Sequence, residues 1–176
     1  MPVMVDGRCG FFQMGLRLWW ESTFDRMRET GYLHDYRSLL SGNFSLSASL
    51  FRRVGGFDST LTCREDYELG VRLLEADAQV MFLPEAWGYH HVVADVADSF
   101  IRARNEGRND VLFGRTHEYL RPTLRLAAFS GQGRTPPYVA LVFLWPLLGE
   151  LLARAGQALL PTLERIRWRK TWNKVS

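Results

Sequence analysis

The sequence predicts an α/β fold: part of a mixed sheet with flanking helices, followed by a C-terminal helical extension. Three observations predict it. Residues 65–77 place apolar side chains at helical spacing. Residues 79–83 are continuously apolar up to Pro84, which suits a strand buried on both faces. A further apolar run, residues 138–148, lies beyond a stretch rich in glycine and proline.

The remaining elements follow in chain order. Residues 11–40 are rich in aromatic and aliphatic side chains at helical spacing, which predicts one or two amphipathic helices. Residues 44–47 alternate like a short strand. Residues 47–54 predict a short helix that ends at Gly55 and Gly56, because glycine commonly terminates helices. Residues 95–120 predict a long helix.

The helix predicted over residues 65–77 contains one anomaly. At about 100° per residue, one polar face collects four charged side chains. Asp66 falls inside the opposite, apolar arc. A carboxylate on the buried side of a helix start requires a partner or a function. The polar face consists of Glu65, Glu68, Arg72 and Glu75.

Composition and charge divide the chain unevenly. With 47% hydrophobic and 23% charged residues among 176, it is typical of a globular protein. Residues 1–120 carry a net charge of −4, and residues 121–176 carry +7. We predict a body over residues 1–130, a linker over 131–137 and a basic, amphipathic helical tail over 138–176. A basic tail indicates an anionic partner.

The cysteines and the N-terminus indicate the compartment. Cys9 and Cys63 have no metal-ligand spacing and predict neither a disulfide scaffold nor a zinc site. Residues 1–6 lack the basic region and the apolar core of a secretory signal. We therefore expect a cytoplasmic protein.

Two groups of residues could carry chemistry. Glu65 and Asp66 stand at a helix start, where a carboxylate could act as a general base. His90 follows an extended segment, where an imidazole could bind a metal. Each also has a plain structural interpretation. An aspartate at a helix start is commonly a cap, and a lone histidine is more often a hydrogen-bonded structural residue.

The order of four motifs is more informative than any one of them. Together they resemble the second half of family 2, GT-A type, inverting glycosyltransferases. The resemblance is strong over residues 41–91 and extends weakly to about 120 through Glu106–Asp110. The motifs are Gly42-Asn43, Gly55-Gly56-Phe57-Asp58, Glu65-Asp66-Tyr67-Glu68-Leu69-Gly70, and Pro84-Glu85-Ala86 followed by His90-His91.

The resemblance implies a role for each motif. Asp66 would be the catalytic base, with Glu65 as its neighbour in the acidic pair. His90 would help to hold a metal, with His91 as the second choice. The substrate-binding residues would be Gly42 and Asn43, which border the donor and acceptor sugars, and Gly56, Phe57 and Asp58, which shape the acceptor side.

The resemblance also implies parts that these 176 residues do not contain. The family's nucleotide-binding half ends in an Asp-x-Asp motif that holds Mn²⁺ or Mg²⁺ against the donor's diphosphate. No Asp-x-Asp occurs in the sequence. The chain would then be a fragment, one part of a split enzyme or a degenerate relative. We expect the chain to be inactive alone. The whole enzyme would transfer a sugar from a nucleotide-sugar to a hydroxyl acceptor, with inversion, during cell-surface polysaccharide or glycolipid synthesis.

The tail predicts a location at the membrane. Residues 138–148 are shorter than the roughly 20 apolar residues that span a bilayer. Residues 163–174 mix tryptophan with arginine and lysine, as interfacial helices do. We expect peripheral attachment to the inner face of the membrane, where lipid-linked acceptors reside; the apolar run could instead be a core helix. The alternative functions are a non-catalytic membrane-associated binding module and, less favoured, a nucleic-acid-binding protein; we expect no nucleic-acid partner.

Overall fold

The protein is mainly helical in the computed structural model, which describes residues 2–4, 11–92, 96–124, 127 and 145–165. Two short 3-10 helices, Tyr36–Ser38 and Glu118–Thr123, lie between the longer helices. The two strands are β1, Pro2–Met4, and β2, His90–Val92. The α-helices are α1 (Phe11–Met27), α2 (Ala48–Arg53), α3 (Glu65–Glu75), α4 (Val96–Thr116) and α5 (Pro146–Arg165).

The predicted α/β mixed sheet, including the partial GT-A (Rossmann-like) sheet that the resemblance implied, is wrong. Helices make up 63% of the described residues. Among those residues, the β-pairing is limited to the three-residue segments β1 and β2, which run parallel with Pro2 opposite His90. Residues 79–83 form no strand, and Met81 and Leu83 are exposed. An apolar run forms a buried strand only when other strands and helices cover it.

The predicted helices of the central region are confirmed. Ser47 caps α2 by accepting a hydrogen bond from the Leu50 amide at 3.2 Å. Gly55 and Gly56 end this helix with φ values of 88° and 70°, which glycine adopts without steric cost. Helix α3 begins where it was predicted and ends at Glu75, two residues before the predicted end.

Helix α3 is the centre of the hydrophobic core. On one side, Val71 packs in a cluster with Tyr36 and Phe113 of α4. On another side, Leu69 and Leu73 pack with Leu39 and with partly buried residues of α2. Leu69, Val71 and Leu73 are all buried. The core therefore fixes the orientation of α3, and with it the position of the acidic pair at its start.

Glu68 departs from the polar face predicted for α3, because it is buried. It pairs with Arg72, which was predicted on the same face: Arg72 Nε donates to Glu68 Oε1 at 2.8 Å. His117, which follows α4, places Nε2 3.2 Å from the same oxygen. A buried carboxylate is tolerated when it is paired and hydrogen-bonded. The network ties α3 to the end of α4.

Gly70 is required by close packing. A Cβ atom there would lie 2.7 Å from the carbonyl oxygen of Tyr36, a backbone atom that cannot rotate away. We expect Gly70→Ala to lower the free energy of unfolding by about 1–3 kcal/mol, although alanine favours helix. Gly107→Ala in α4 is the matched control, because nothing lies within 4 Å of its Cβ position. It should be stabilising by about 0.5–1 kcal/mol. Urea denaturation followed by circular dichroism measures both, and equal effects would refute the packing argument.

Helix α5 contains the described part of the predicted tail. It contacts α4, where a Cβ at Gly156 would lie 3.1 Å from the Phe100 ring. No helix in the described part of the chain combines the length and the apolar character needed to cross a bilayer. The predicted linker, residues 131–137, lies outside the described residues, so the domain boundary stays a prediction.

Candidate active site

Asp66 lies in the first turn of α3 and is half-buried. Its Oδ2 accepts a hydrogen bond from the Ser41 amide at 3.1 Å, and its Oδ1 accepts one from the Tyr67 amide at 2.9 Å. The positive end of the helix dipole lies at the same place, and it stabilises negative charge. The Ser41 contact is the partner that the sequence required for a carboxylate on this side of the helix.

The carboxylate keeps acceptor capacity for a substrate. An ionised carboxylate offers about four lone-pair sites, and the two amides occupy two of them. A hydroxyl group could therefore donate to Asp66 without displacing either backbone contact. This is the geometry that a general base needs, because the proton must travel along a hydrogen bond that already exists.

The loop that contains Gly42 and Asn43 connects Asp66 to a third segment. Ser41 contacts Asp66, while the Asn43 side-chain amide donates to the Ala86 carbonyl at 2.9 Å. Gly42 itself is exposed, and nothing lies within 4 Å of its Cβ position. Three of the motifs, separated by 25 and 43 residues, are thus joined by direct hydrogen bonds.

Glu65 is the first residue of α3 and is half-buried. It follows Arg64, whose φ of 64° is in the left-handed region. A residue other than glycine in this region costs on the order of 1–3 kcal/mol and needs support from its surroundings. The chain therefore turns sharply just before the acidic pair, and something must hold that turn.

Helix α4 provides the support. Arg64 Nε lies 2.6 Å from Asp110 Oδ1, close enough for an ion pair although not aligned as a hydrogen bond. Asn109 is buried, and its amide nitrogen donates to the Thr62 hydroxyl at 3.0 Å while its oxygen accepts from the Thr62 amide at 3.2 Å. These contacts hold residues 62–64 against α4. We name Arg64, Asn109 and Asp110 the α4 clamp.

The Gly56-Phe57-Asp58 turn lies beside a later part of α3. Gly56 accepts a hydrogen bond from Arg72 through its carbonyl at 2.6 Å. Six residues separate Arg72 from Asp66, or about 9 Å along the helix. Phe57 packs edge-to-face against the Phe44 and Phe51 rings. The turn is therefore linked to α3 but does not contact Asp66 through any hydrogen bond seen in the described residues.

Asp58 is engaged within this turn. Its Oδ1 accepts from the Thr60 amide at 2.9 Å and from the Thr60 hydroxyl at 2.7 Å. The pKa of the Asp58 carboxyl is held below its ordinary value, mainly by the hydrogen bond from the Thr60 amide and to a smaller extent by the one from the Thr60 hydroxyl. These bonds close the turn, and the substrate-binding role of Gly56, Phe57 and Asp58 stays a prediction.

The predicted metal ligands lie at a described strand, but their side chains do not belong to the described structure. His90 pairs with Pro2, and His91 pairs with Val3, through the backbone of β2. Among the described residues, no group of three histidine, cysteine, aspartate or glutamate side chains is placed to hold a metal ion. The metal-binding role of His90 and His91 therefore stays a prediction.

The α4 clamp is the part of the site that was not predicted from the sequence. Residues 106–110 were noticed only as a weak extension of the resemblance, and the arginines of α4 showed no link to the acidic pair. One available signal was the Asn-Asp dipeptide at 109–110 inside a helix, since both residue types are poor helix formers and usually have a partner. Cys63 also lies in this region, and burial raises the pKa of its thiol.

The described geometry thus joins the half-buried carboxylate at the start of α3 to a polar loop, and the same loop to the segment that contains Ala86. Comparison of the chain with protein-family models, with curated proteins and with solved structures found no match.

Proposed function

We propose that the chain is the acceptor-side part of an inverting glycosyltransferase, with Asp66 as the general base. The observation that supports the proposal most is the loop from Ser41 to Asn43, which contacts Asp66 at one end and the Pro84-Glu85-Ala86 motif at the other. Ser41 binds Asp66, and Asn43, two residues later, binds Ala86. The proposal depends on this site and on the motif resemblance, and not on the predicted sheet, since function is located in sites rather than in folds.

In the proposed reaction the acceptor hydroxyl donates a hydrogen bond to a free lone pair of Asp66. As the acceptor oxygen attacks the anomeric carbon of a nucleotide-sugar, its proton passes to the carboxylate. The bond between the anomeric carbon and the diphosphate breaks, and its electron pair leaves with the diphosphate. Attack from the face opposite the leaving group inverts the configuration at that carbon.

The diphosphate needs groups that the described residues do not provide. The sequence contains no Asp-x-Asp motif. We propose that a nucleotide-binding half supplies the diphosphate site and its Mn²⁺ or Mg²⁺, with His90 or His91 contributing from this chain. No step assigned to Asp66 depends on that metal.

The test of this assignment is a comparison of two preparations. The isolated chain, titrated calorimetrically with common nucleotide-sugars and Mn²⁺, should show no micromolar dissociation constant. The chain recovered from its own cells with its bound partners should release nucleoside diphosphate from one of those donors when acceptor is present. A micromolar donor affinity in the isolated chain, or no donor turnover in the recovered assembly, would contradict the proposal.

Membrane attachment is the second part of the proposal, and helix α5 supports it. One face of α5 packs on α4 through Gly156, while another face exposes four leucines to solvent. Exposed apolar patches of this kind mark interaction surfaces, and the basic residues of the tail suit an anionic bilayer. The same feature supports the alternative function, a non-catalytic membrane-associated module. The exposed leucines are Leu147, Leu151, Leu152 and Leu159.

Vesicle sedimentation tests this attachment. The full chain should sediment with anionic vesicles, and binding should weaken with salt without vanishing, because apolar contacts are not screened. Replacing Leu147 and Leu151 by serine should reduce the bound fraction at high salt. Leu33→Ser is the matched control, since Leu33 is also highly exposed but lies far from α5 in sequence. Equal loss in both variants, or no sedimentation of the wild type, would exclude this role for α5.

A further inference from the structure

Two large aromatic side chains stand exposed side by side after the apolar segment. Trp87 and Tyr89 are each 66% exposed. Their ring centroids lie 5.4 Å apart with an interplanar angle of 86°. Aromatic side chains usually bury most of their area, so an exposed pair indicates a binding surface. We name this pair the aromatic platform.

The backbone beneath the aromatic platform is held in place. The Ala86 amide donates to the Leu83 carbonyl at 3.1 Å, which closes a turn with Pro84 at its second position, where proline is favoured. The Trp87 amide donates to the Glu85 carbonyl at 3.1 Å. Asn43 binds the Ala86 carbonyl from outside the turn. The platform therefore extends from an anchored turn rather than from a free loop.

The same anchor connects the platform to the proposed base. Asn43 holds the residue before Trp87, and Ser41, two residues earlier, binds Asp66. Two residues of extended chain span at most about 7 Å. The platform and the carboxylate are therefore anchored to the two ends of one short loop.

We infer that the aromatic platform binds a pyranose ring of the acceptor, so that the acceptor is itself a carbohydrate. This inference rests on the proposed function and names its substrate class. A pyranose presents a face of C–H groups that packs on an aromatic ring, and a rim of hydroxyls. The Trp87 N–H and the Tyr89 O–H can hydrogen-bond that rim. The ring would place a neighbouring hydroxyl toward Asp66.

The surroundings of the platform favour a neutral, hydroxyl-rich ligand. Glu85, which is exposed, is the one charged residue in the sequence between positions 79 and 89. In space, the Arg28 guanidinium lies 5.6 Å from the centroid of the Phe82 ring, and the described ring contacts place no cation over Trp87 or Tyr89. An anionic bilayer or a nucleic acid would require arginine or lysine here. Gly88, which lies between the two residues in the chain, has nothing within 4 Å of its Cβ position, so a ligand can approach the backbone there. These features match an uncharged sugar better than a phosphate-bearing surface.

The test measures binding of defined saccharides to the full chain by saturation-transfer NMR and by tryptophan fluorescence. The probes are cellopentaose, chitopentaose, maltopentaose and mannopentaose. At least one should bind the wild type, and Trp87→Ala should weaken that binding about tenfold, the effect of one lost stacking contact. Trp145→Ala is the matched control, because Trp145 is 67% exposed but lies next to α5. It should leave binding unchanged.

Three outcomes would overturn the inference. The first is that no pentasaccharide binds the wild type, and the second is that Trp87→Ala and Trp145→Ala weaken binding equally. The third is that Trp87→Ala abolishes vesicle sedimentation instead of saccharide binding, which would show that the surface binds lipid. Failure of the proposed function looks different. If saccharide binding depends on Trp87 but the assembly turns over no donor, the inference about the platform is supported and the proposed glycosyltransferase function is wrong. If Trp87→Ala does not change the rate of sugar transfer, the inference about the platform is wrong and the proposed glycosyltransferase function is supported.

Discussion

Arg64→Ala should destabilise the fold by about 3–5 kcal/mol, because it leaves a buried carboxylate without its cation. Asp110 is only 2% exposed, and Arg64 is its ion-pair partner at 2.6 Å. The second acid near Arg64, Glu106, lies 3.6 Å from the guanidinium and keeps its own partner, Arg102, at 3.0 Å, so the loss falls mainly on Asp110. Alanine also keeps the left-handed backbone at position 64, so the loss of charge is not offset by relief of strain.

A double-mutant cycle separates the ion pair from other effects of the substitution. Arg64→Ala combined with Asp110→Ala removes both charges, and it should cost less than the sum of the two single substitutions. Arg53→Ala, on the exposed end of α2, is the control and should stay within about 0.5 kcal/mol of the wild type. Urea denaturation gives all four values. Strictly additive losses would mean that the α4 clamp is not held by this pair.

Asp66→Asn should lower sugar transfer by about 10²–10⁴-fold in the recovered assembly, because an amide cannot accept the acceptor's proton. Asparagine is nearly isosteric, and its one side-chain oxygen can still accept the hydrogen bond from the Ser41 amide, at the loss of the local bond from the Tyr67 amide. The loop and helix should therefore stay in place, and donor binding should be nearly unchanged. The rate loss would then report chemistry rather than folding.

Glu65→Gln is the control for this substitution. Glu65 precedes Asp66 at the start of α3, and the described contacts give it no hydrogen bond to the Ser41 loop, which Asp66 has. We expect a much smaller loss than for Asp66→Asn. Transfer by Asp66→Asn at the wild-type rate, or a larger loss in Glu65→Gln, would show that the base was assigned to the wrong residue. Thermal melting of both variants checks that the fold is intact.

Local periodicity was enough to predict α3, and it failed for the segment that follows. The apolar and polar positions of residues 65–75 repeat at the helical period, so one helix could be placed within two residues. Residues 79–83 are apolar without any period, and such a run does not define a strand by itself. Whether it is buried depends on segments far away in sequence, and Met81 and Leu83 remain exposed. The α/β prediction failed for this reason.

Only part of the site could be predicted, because local sequence patterns do not show contacts between distant segments. The anomaly at Asp66 was visible in a single helix, and its explanation was not, because Ser41 lies 25 residues earlier. Glu68 was assigned to the polar face, and its burial depends on His117, 49 residues later. The α4 clamp joins residues 46 or 47 positions apart. Contacts of this range leave no periodic signal in the sequence.

The anomeric configuration of the transferred sugar distinguishes a general base at Asp66 from a nucleophile. The recovered assembly is incubated with the donor that it turns over, and the product is examined by proton NMR before the anomers equilibrate. The account predicts one product whose configuration is opposite to that of the donor, and whose formation is lost in Asp66→Asn. A product of retained configuration would contradict the account, because retention by double displacement needs a nucleophile that bonds to the sugar rather than a base.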